Sequence, residues 1–161
     1  MSAAGGGVRA TPGPAPRTGH NAHWQQEEGW MSHAPKPRVL VVDDEPSICK
    51  ALEIILSDVG YDVETVVSGD SASSLLRTEH FDAMIVDLRV PDMRGDILFA
   101  LASALQPRLR TATLFITGDI TERAEQLIAA CACPMLRKPF DLADVLEAIA
   151  ALVPGRQVIS A

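Results

Sequence analysis

From Arg38 onward, short runs of β-forming apolar residues alternate with longer stretches in which apolar residues recur at helical spacing, and nothing else in the chain constrains the fold as strongly. The runs are VLVV (39–42), DVETVV (62–67), DAMIV (82–86), ATLFIT (112–117) and PMLR (134–137), so five strands are expected. Between the first two, Pro46 sits where a helix can begin without needing its N–H. Ile48, Leu52, Ile55, Leu56 and Val59 then fall on one face before Gly60 stops the helix. Four later intervals read the same way, each with one stripe to bury: Ala72, Leu75 and Leu76; Ile97, Leu98, Leu101 and Leu105 ahead of Pro107; Ala124, Leu127, Ile128 and Cys131; and Leu142, Val145, Leu146, Ile149 and Leu152. Runs as continuous as VLVV and MIV demand burial on both faces, which a parallel sheet with helices on each side and right-handed crossovers provides. The expected fold is α/β: a doubly wound, five-stranded parallel sheet with five helices.

The first 37 residues carry none of this periodicity. Gly5 to Gly7, Pro12, Pro14, Pro16, Pro35 and Pro37 punctuate a stretch with few aliphatics to bury. It reads as a disordered N-terminal arm (1–37) ahead of one domain (38–153) and a short C-terminal tail (154–161). A length of 161 residues agrees with a single core. His20, His23 and His33 match no metal-site spacing, and Met31 opens a second candidate start, MSHAPKPRVLVVDD. Arg9, Arg17 and Lys36 against Glu27 and Glu28 make the arm +1, which leaves −8 of the overall −7 for residues 38–161. An acidic domain with no basic run repels a phosphate backbone, so direct nucleic-acid binding is not expected. No apolar run approaches the roughly 18 residues of a membrane span and the start has no signal-peptide stretch; the chain is expected in the cytoplasm, away from membranes. Cys49, Cys131 and Cys133 are an odd number without zinc-ligand spacing and read as reduced, structural thiols.

In doubly wound sheets the functional groups gather beyond the carboxyl ends of the strands. Here strand one runs into Asp43, Asp44 and Glu45, strand three into Asp87, strand four into Thr117, and strand five into Arg137, Lys138 and Pro139. Carboxylates meeting at an apolar edge repel one another, and their joint ionisation is tolerable when a cation joins them. An oxygen donor set without His or Cys selects magnesium or manganese over zinc, and magnesium completes its shell with waters and a phosphoryl oxygen. Lys138 supplies a fixed positive charge and Thr117 a hydroxyl for the other phosphoryl oxygens. Asp87 is then the nucleophile, since a carboxylate needs no base to attack phosphorus at neutral pH.

The stretches VLVVDDE (39–45), MIVDLRVPDMRG (84–95), LFITG (114–118) and LRKPF (136–140) together resemble the receiver domain of two-component response regulators over residues 38 to about 153. The resemblance implies a flavodoxin-like strand order, 2-1-3-4-5, and a phosphorelay role. By the same resemblance Asp87 is the phosphoacceptor, and Asp43 and Asp44 hold Mg2+ together with Asp87 and the backbone carbonyl of Arg89. Thr117 is the switch hydroxyl and Lys138 the phosphate-binding lysine, with the Lys138–Pro139 bond cis. The implied partners are a sensor histidine kinase or histidine phosphotransfer protein as donor and a downstream target protein that reads the phosphorylated surface. After Leu152 only VPGRQVISA remains, so the chain is expected to be a stand-alone receiver.

Taken singly, each motif has a blander meaning. Asp43-Asp44-Glu45 before Pro46 is a common helix start with acidic residues suited to the dipole, and Lys138-Pro139 is a common turn. Capping accounts for one carboxylate, not for two plus Asp87. A flavodoxin-like cofactor carrier calls for a Ser/Thr/Gly-rich loop after strand one, where this chain has DDEPS. A haloacid-dehalogenase-type phosphatase calls for a second acid two residues after the nucleophile, where this chain has Arg89. The remaining competitor is a receiver-like docking module that works without phosphorylation. One departure from the family pattern bears on output, and two positions that vary in the family bear on the lifetime of the phosphorylated state. Met135 stands where the family usually has an aromatic residue, so a graded coupling is expected in place of a ring flip. Arg89 and Asp119 flank the path of a hydrolytic water and are expected to slow loss of phosphate.

Overall fold

The alternation read from the sequence is realised in the computed structural model, which describes residues 35–118 and 121–154. In chain order the elements are β1 (Arg38–Val42), α1 (Pro46–Asp58), β2 (Asp62–Val66), α2 (Gly69–Thr78), β3 (Ala83–Asp87), α3 (Gly95–Leu105), β4 (Thr113–Thr117), α4 (Glu122–Cys131), β5 (Met135–Arg137) and α5 (Leu142–Leu152). One 3-10 turn, Pro107–Arg110, follows α3. The expected arm up to residue 34, the expected tail from residue 155, and Asp119 lie outside the described residues.

The strands pair in the order β2-β1-β3-β4-β5, all parallel. Side chains alternate across a strand, so each strand feeds two cores. Val39, Val41, Ile85, Leu114 and Ile116 meet Leu52 and Leu56 of α1 and Val145 and Ile149 of α5 on one face. Leu40, Val42, Met84, Val86 and Phe115 meet Ala72, Leu76, Leu98 and Ala102 of α2 and α3 on the other. Phe99 stands edge-on to Phe115 with ring centroids 5.2 Å apart. Residues 39–42 and 83–86 are fully buried, and each such Val, Leu or Ile side chain contributes about 1.5–3 kcal/mol.

In α3 the structure departs from the expected stripe. Leu98, Phe99 and Ala102 are buried, whereas Ile97 and Leu105 are 53% and 39% exposed. The sequence ILFALASAL is apolar all round, so periodicity alone does not choose its face. Packing of Phe99 on Phe115 does.

Two helix starts matter for the site. The hydroxyl of Ser68 accepts from the Ser71 N–H at 3.2 Å, while the carboxylate of Asp92, in the β3–α3 loop, accepts from the Gly69 and Asp70 N–H groups at 2.9 Å each. Those two backbone donors hold Asp92 below the usual carboxylate range and tie the loop to α2. Thr121 caps α4 through the Ala124 N–H at 3.2 Å. No helix among the described residues is long and apolar enough to cross a membrane.

Candidate functional site

Parallel register brings the strand ends to one edge of the sheet. Val42 is level with Val66 and Val86, Asp87 with Ile116, and Thr117 with Arg137. The backbone continues the ladder one step further: the Asp43 N–H donates to the Val66 carbonyl at 3.2 Å, the Leu88 N–H to Ile116 at 3.1 Å, and the Lys138 N–H to Thr117 at 2.8 Å. Asp87 and Thr117 thus end paired strands, Asp43 and Lys138 directly follow β1 and β5 with ladder bonds of their own, and Asp43, Asp87 and Thr117 are buried. The Lys138–Pro139 bond is cis, as the resemblance implied.

The Lys138 ammonium sits at the centre. Its Nζ lies 2.8 Å from Asp43 Oδ2, 2.9 Å from Asp87 Oδ2 and 2.8 Å from Glu45 Oε1. The second oxygens are engaged locally: Asp43 Oδ1 accepts from the Glu45 N–H and Asp87 Oδ1 from the Arg89 N–H, both at 2.8 Å. Burial pushes the Asp43 carboxyl up from its ordinary value, against the pull of Lys138 and the Glu45 N–H. Burial also opposes the charge on Lys138, yet its three carboxylate partners together hold the ammonium well above the ordinary lysine value.

Asp44 is exposed, and carboxylate oxygens of Asp43, Asp44 and Asp87 all lie within 4.8 Å of one another. Three hard oxygen donors with no His or Cys among them fit magnesium or another hard divalent ion. The capping account of the acidic run does not hold, because Glu45 at the N-cap of α1 makes no side-chain cap bond and turns to Lys138 instead.

Two residues to which the sequence assigns no separate role belong to the site's construction, Glu45 at the strand edge and Gly95 in the β3–α3 stretch. Glu45 precedes Pro46, a position that favours extended backbone, and its φ and ψ are −91° and 105°. That conformation carries its side chain to Lys138 rather than along α1. Gly95 opens α3 against the end of β3: a Cβ there would lie 2.6 Å from the Asp87 carbonyl oxygen and 2.7 Å from Leu88 Cα. Only glycine permits this approach. Met135 is partly buried and packs into the core on the α2–α3 face. The three thiols are free; Cys49 and Cys133 are buried, and burial pushes Cys133 up to about 12.

A family model for the response regulator receiver domain matches residues 39–150. The chain belongs to the response regulator receiver family. The receiver is 35% identical over 119 residues to the transcriptional regulatory protein GlrR of Escherichia coli, a match covering 74% of this chain and 26% of that protein. The chain therefore spans about a quarter of that regulator's length. Among solved structures it is similar to a CheY-like response regulator receiver domain protein from Methanospirillum hungatei, with a TM-score of 0.69, 26% identity and coverage of 74% of this chain and 94% of that one. It is also similar to a response regulator protein from Burkholderia pseudomallei with a phosphorylated aspartic acid, calcium ion and citrate, at a TM-score of 0.63, 28% identity and coverage of 71% and 66%. The order 2-1-3-4-5 of the receiver is the order the resemblance implied.

Proposed function

We propose that residues 38–153 form a receiver that accepts a phosphoryl group on Asp87 from a phosphohistidine of a sensor histidine kinase or histidine phosphotransfer protein, and that signals through contacts with a downstream target protein. The observation that carries this reading is the meeting of Asp43, Asp87 and Lys138 within 2.9 Å contacts at the carboxyl edge of the sheet. In the transfer a carboxylate oxygen of Asp87 bonds to phosphorus while the bond from phosphorus to the donor imidazole nitrogen breaks, and that imidazole leaves with the bonding pair. Lys138 shifts from Asp87 Oδ2 to a phosphoryl oxygen, and the Thr117 hydroxyl donates to another. Asp43, Asp44, Asp87 and the Arg89 carbonyl would hold magnesium, which when bound supplies neutralisation of the phosphoryl charge. A phosphorylated aspartic acid and a calcium ion in the similar Burkholderia pseudomallei protein support this reading.

Intact-mass measurement after incubation with phosphoramidate and magnesium tests it. One phosphoryl adduct is expected on the parent chain and none on Asp87→Asn. A parent without adduct, or an Asn variant that keeps it, refutes Asp87 as acceptor and leaves a phosphorylation-independent docking module.

A further inference from the structure

A groove of about 610 Å³ opens between the β3–α3 loop and α4, and its floor includes Val90, Pro91, Ala124 and Leu127. Its rim is cationic. Arg94 and Arg123 both reach one carboxylate, Asp96, at 2.5 Å and 3.4 Å, and their side chains remain 51% and 72% exposed. One carboxylate between two guanidiniums leaves positive charge in excess, on a part of the chain (38–161) whose net charge is −8. Beside the groove, the outward face of α3 presents Ile97, Ala100 and Ala104 to solvent with no charged side chain among them.

These features select the occupant. A small anion gains nothing from an apolar floor. A nucleic-acid backbone is repelled by the acidic remainder of the domain. A polypeptide that places apolar side chains on the floor and carboxylates over the rim satisfies both, with arginine suited to paired hydrogen bonds to carboxylate. We propose that the groove docks an acidic, amphipathic segment of a partner protein, with its apolar side chains between the β3–α3 loop and α4 and its carboxylates on Arg94 and Arg123. The guanidiniums engage the segment through their exposed sides while keeping Asp96, whose side chain is only 19% exposed, as a shared partner. The groove adjoins the acceptor site through Leu88 and Arg89, but Asp87 does not line it, so the near-isosteric Asp87→Asn is expected to bind the same segment without divalent ions.

The test is an NMR titration of the isotope-labelled full chain with a synthetic helical peptide carrying leucine on one face and glutamate on the other. A peptide with lysine in place of glutamate and a sulfate titration are run in parallel. The acidic peptide is expected to shift the backbone amides of Val90, Ala124 and Leu127, to bind more weakly as salt rises, and to lose about ten-fold or more in affinity in the Arg94→Glu/Arg123→Glu variant. Both positions are exposed, so the folded spectrum of that variant is expected to be retained. The proposal is overturned if the acidic peptide leaves those amides unmoved, if the lysine peptide binds as well, or if the double variant binds like the parent. It is also overturned if sulfate alone reproduces the shifts, which marks a small-anion site, or if the same amides shift with protein concentration alone, which marks a second copy as occupant.

Discussion

Replacing Lys138 by methionine keeps the length of the side chain and removes the ammonium that Asp43, Asp87 and Glu45 share. The contact with Glu45 involves a side chain 55% exposed and accounts for about 0–1 kcal/mol. The other two are different in kind: the Asp43 and Asp87 side chains are 0% and 5% exposed, and stripping the cation from a buried pair costs about 3–5 kcal/mol. A ceiling follows from protonation. Neutralising an ordinary carboxyl at pH 7 costs about 4 kcal/mol, three pKa units at 1.36 kcal/mol each, and Asp43, already pushed up by burial, takes its proton for less. A loss of about 3 kcal/mol at pH 7 is expected. Asp43 then has a raised folded value, so the variant gains stability relative to its unfolded chain as pH falls, whereas Lys138 of the parent stays charged throughout this window. At pH 5 the same protonation costs about 2.7 kcal/mol less, and the gap between parent and variant is expected to close to below about 1 kcal/mol. Urea unfolding followed by circular dichroism at both pH values, without divalent ions, measures it. A loss below about 1 kcal/mol at pH 7, or the same loss at pH 5, refutes the view that Lys138 offsets buried carboxylate charge.

Asp44→Ala removes an exposed carboxylate, so unfolding free energy without metal is expected to stay within about 0.5 kcal/mol of the parent. Magnesium affinity by calorimetric titration is expected to drop by about ten-fold or more, since even outer-shell partners of a metal are worth 10–100-fold; equal affinity places the ion elsewhere. Gly95→Ala forces a methyl group against the Asp87 carbonyl and Leu88, and is expected to cost about 1–3 kcal/mol and to slow phosphoryl uptake from phosphoramidate. A variant as stable and as fast as the parent shows that α3 yields without disturbing the end of β3.

The side-chain pattern along the chain dictates the sheet and the edge at which the site residues meet. VLVV and AMIV are apolar at every position, and a strand with no polar face has to be central and covered twice, which dictates parallel pairing with helices on both sides. Once the strands are parallel, residues directly after them share an edge, so Asp43, Asp87, Thr117 and Lys138 were legible as one group although 94 positions separate the first from the last. Tertiary structure alone decided what the group does internally. That one ammonium serves three carboxylates depends on the extended backbone at Glu45 and on a strand five positioned by its pairing with β4. The face that α3 buries was equally beyond the sequence, because a helix apolar all round carries no periodic signal and takes its orientation from Phe99 meeting Phe115 across the layer. The close seat of Gly95 and the two arginines on Asp96 arise from how the β3–α3 loop and α4 meet. Strand identity is a local property of side-chain pattern, whereas shared charges and chosen faces are set by neighbours distant along the chain.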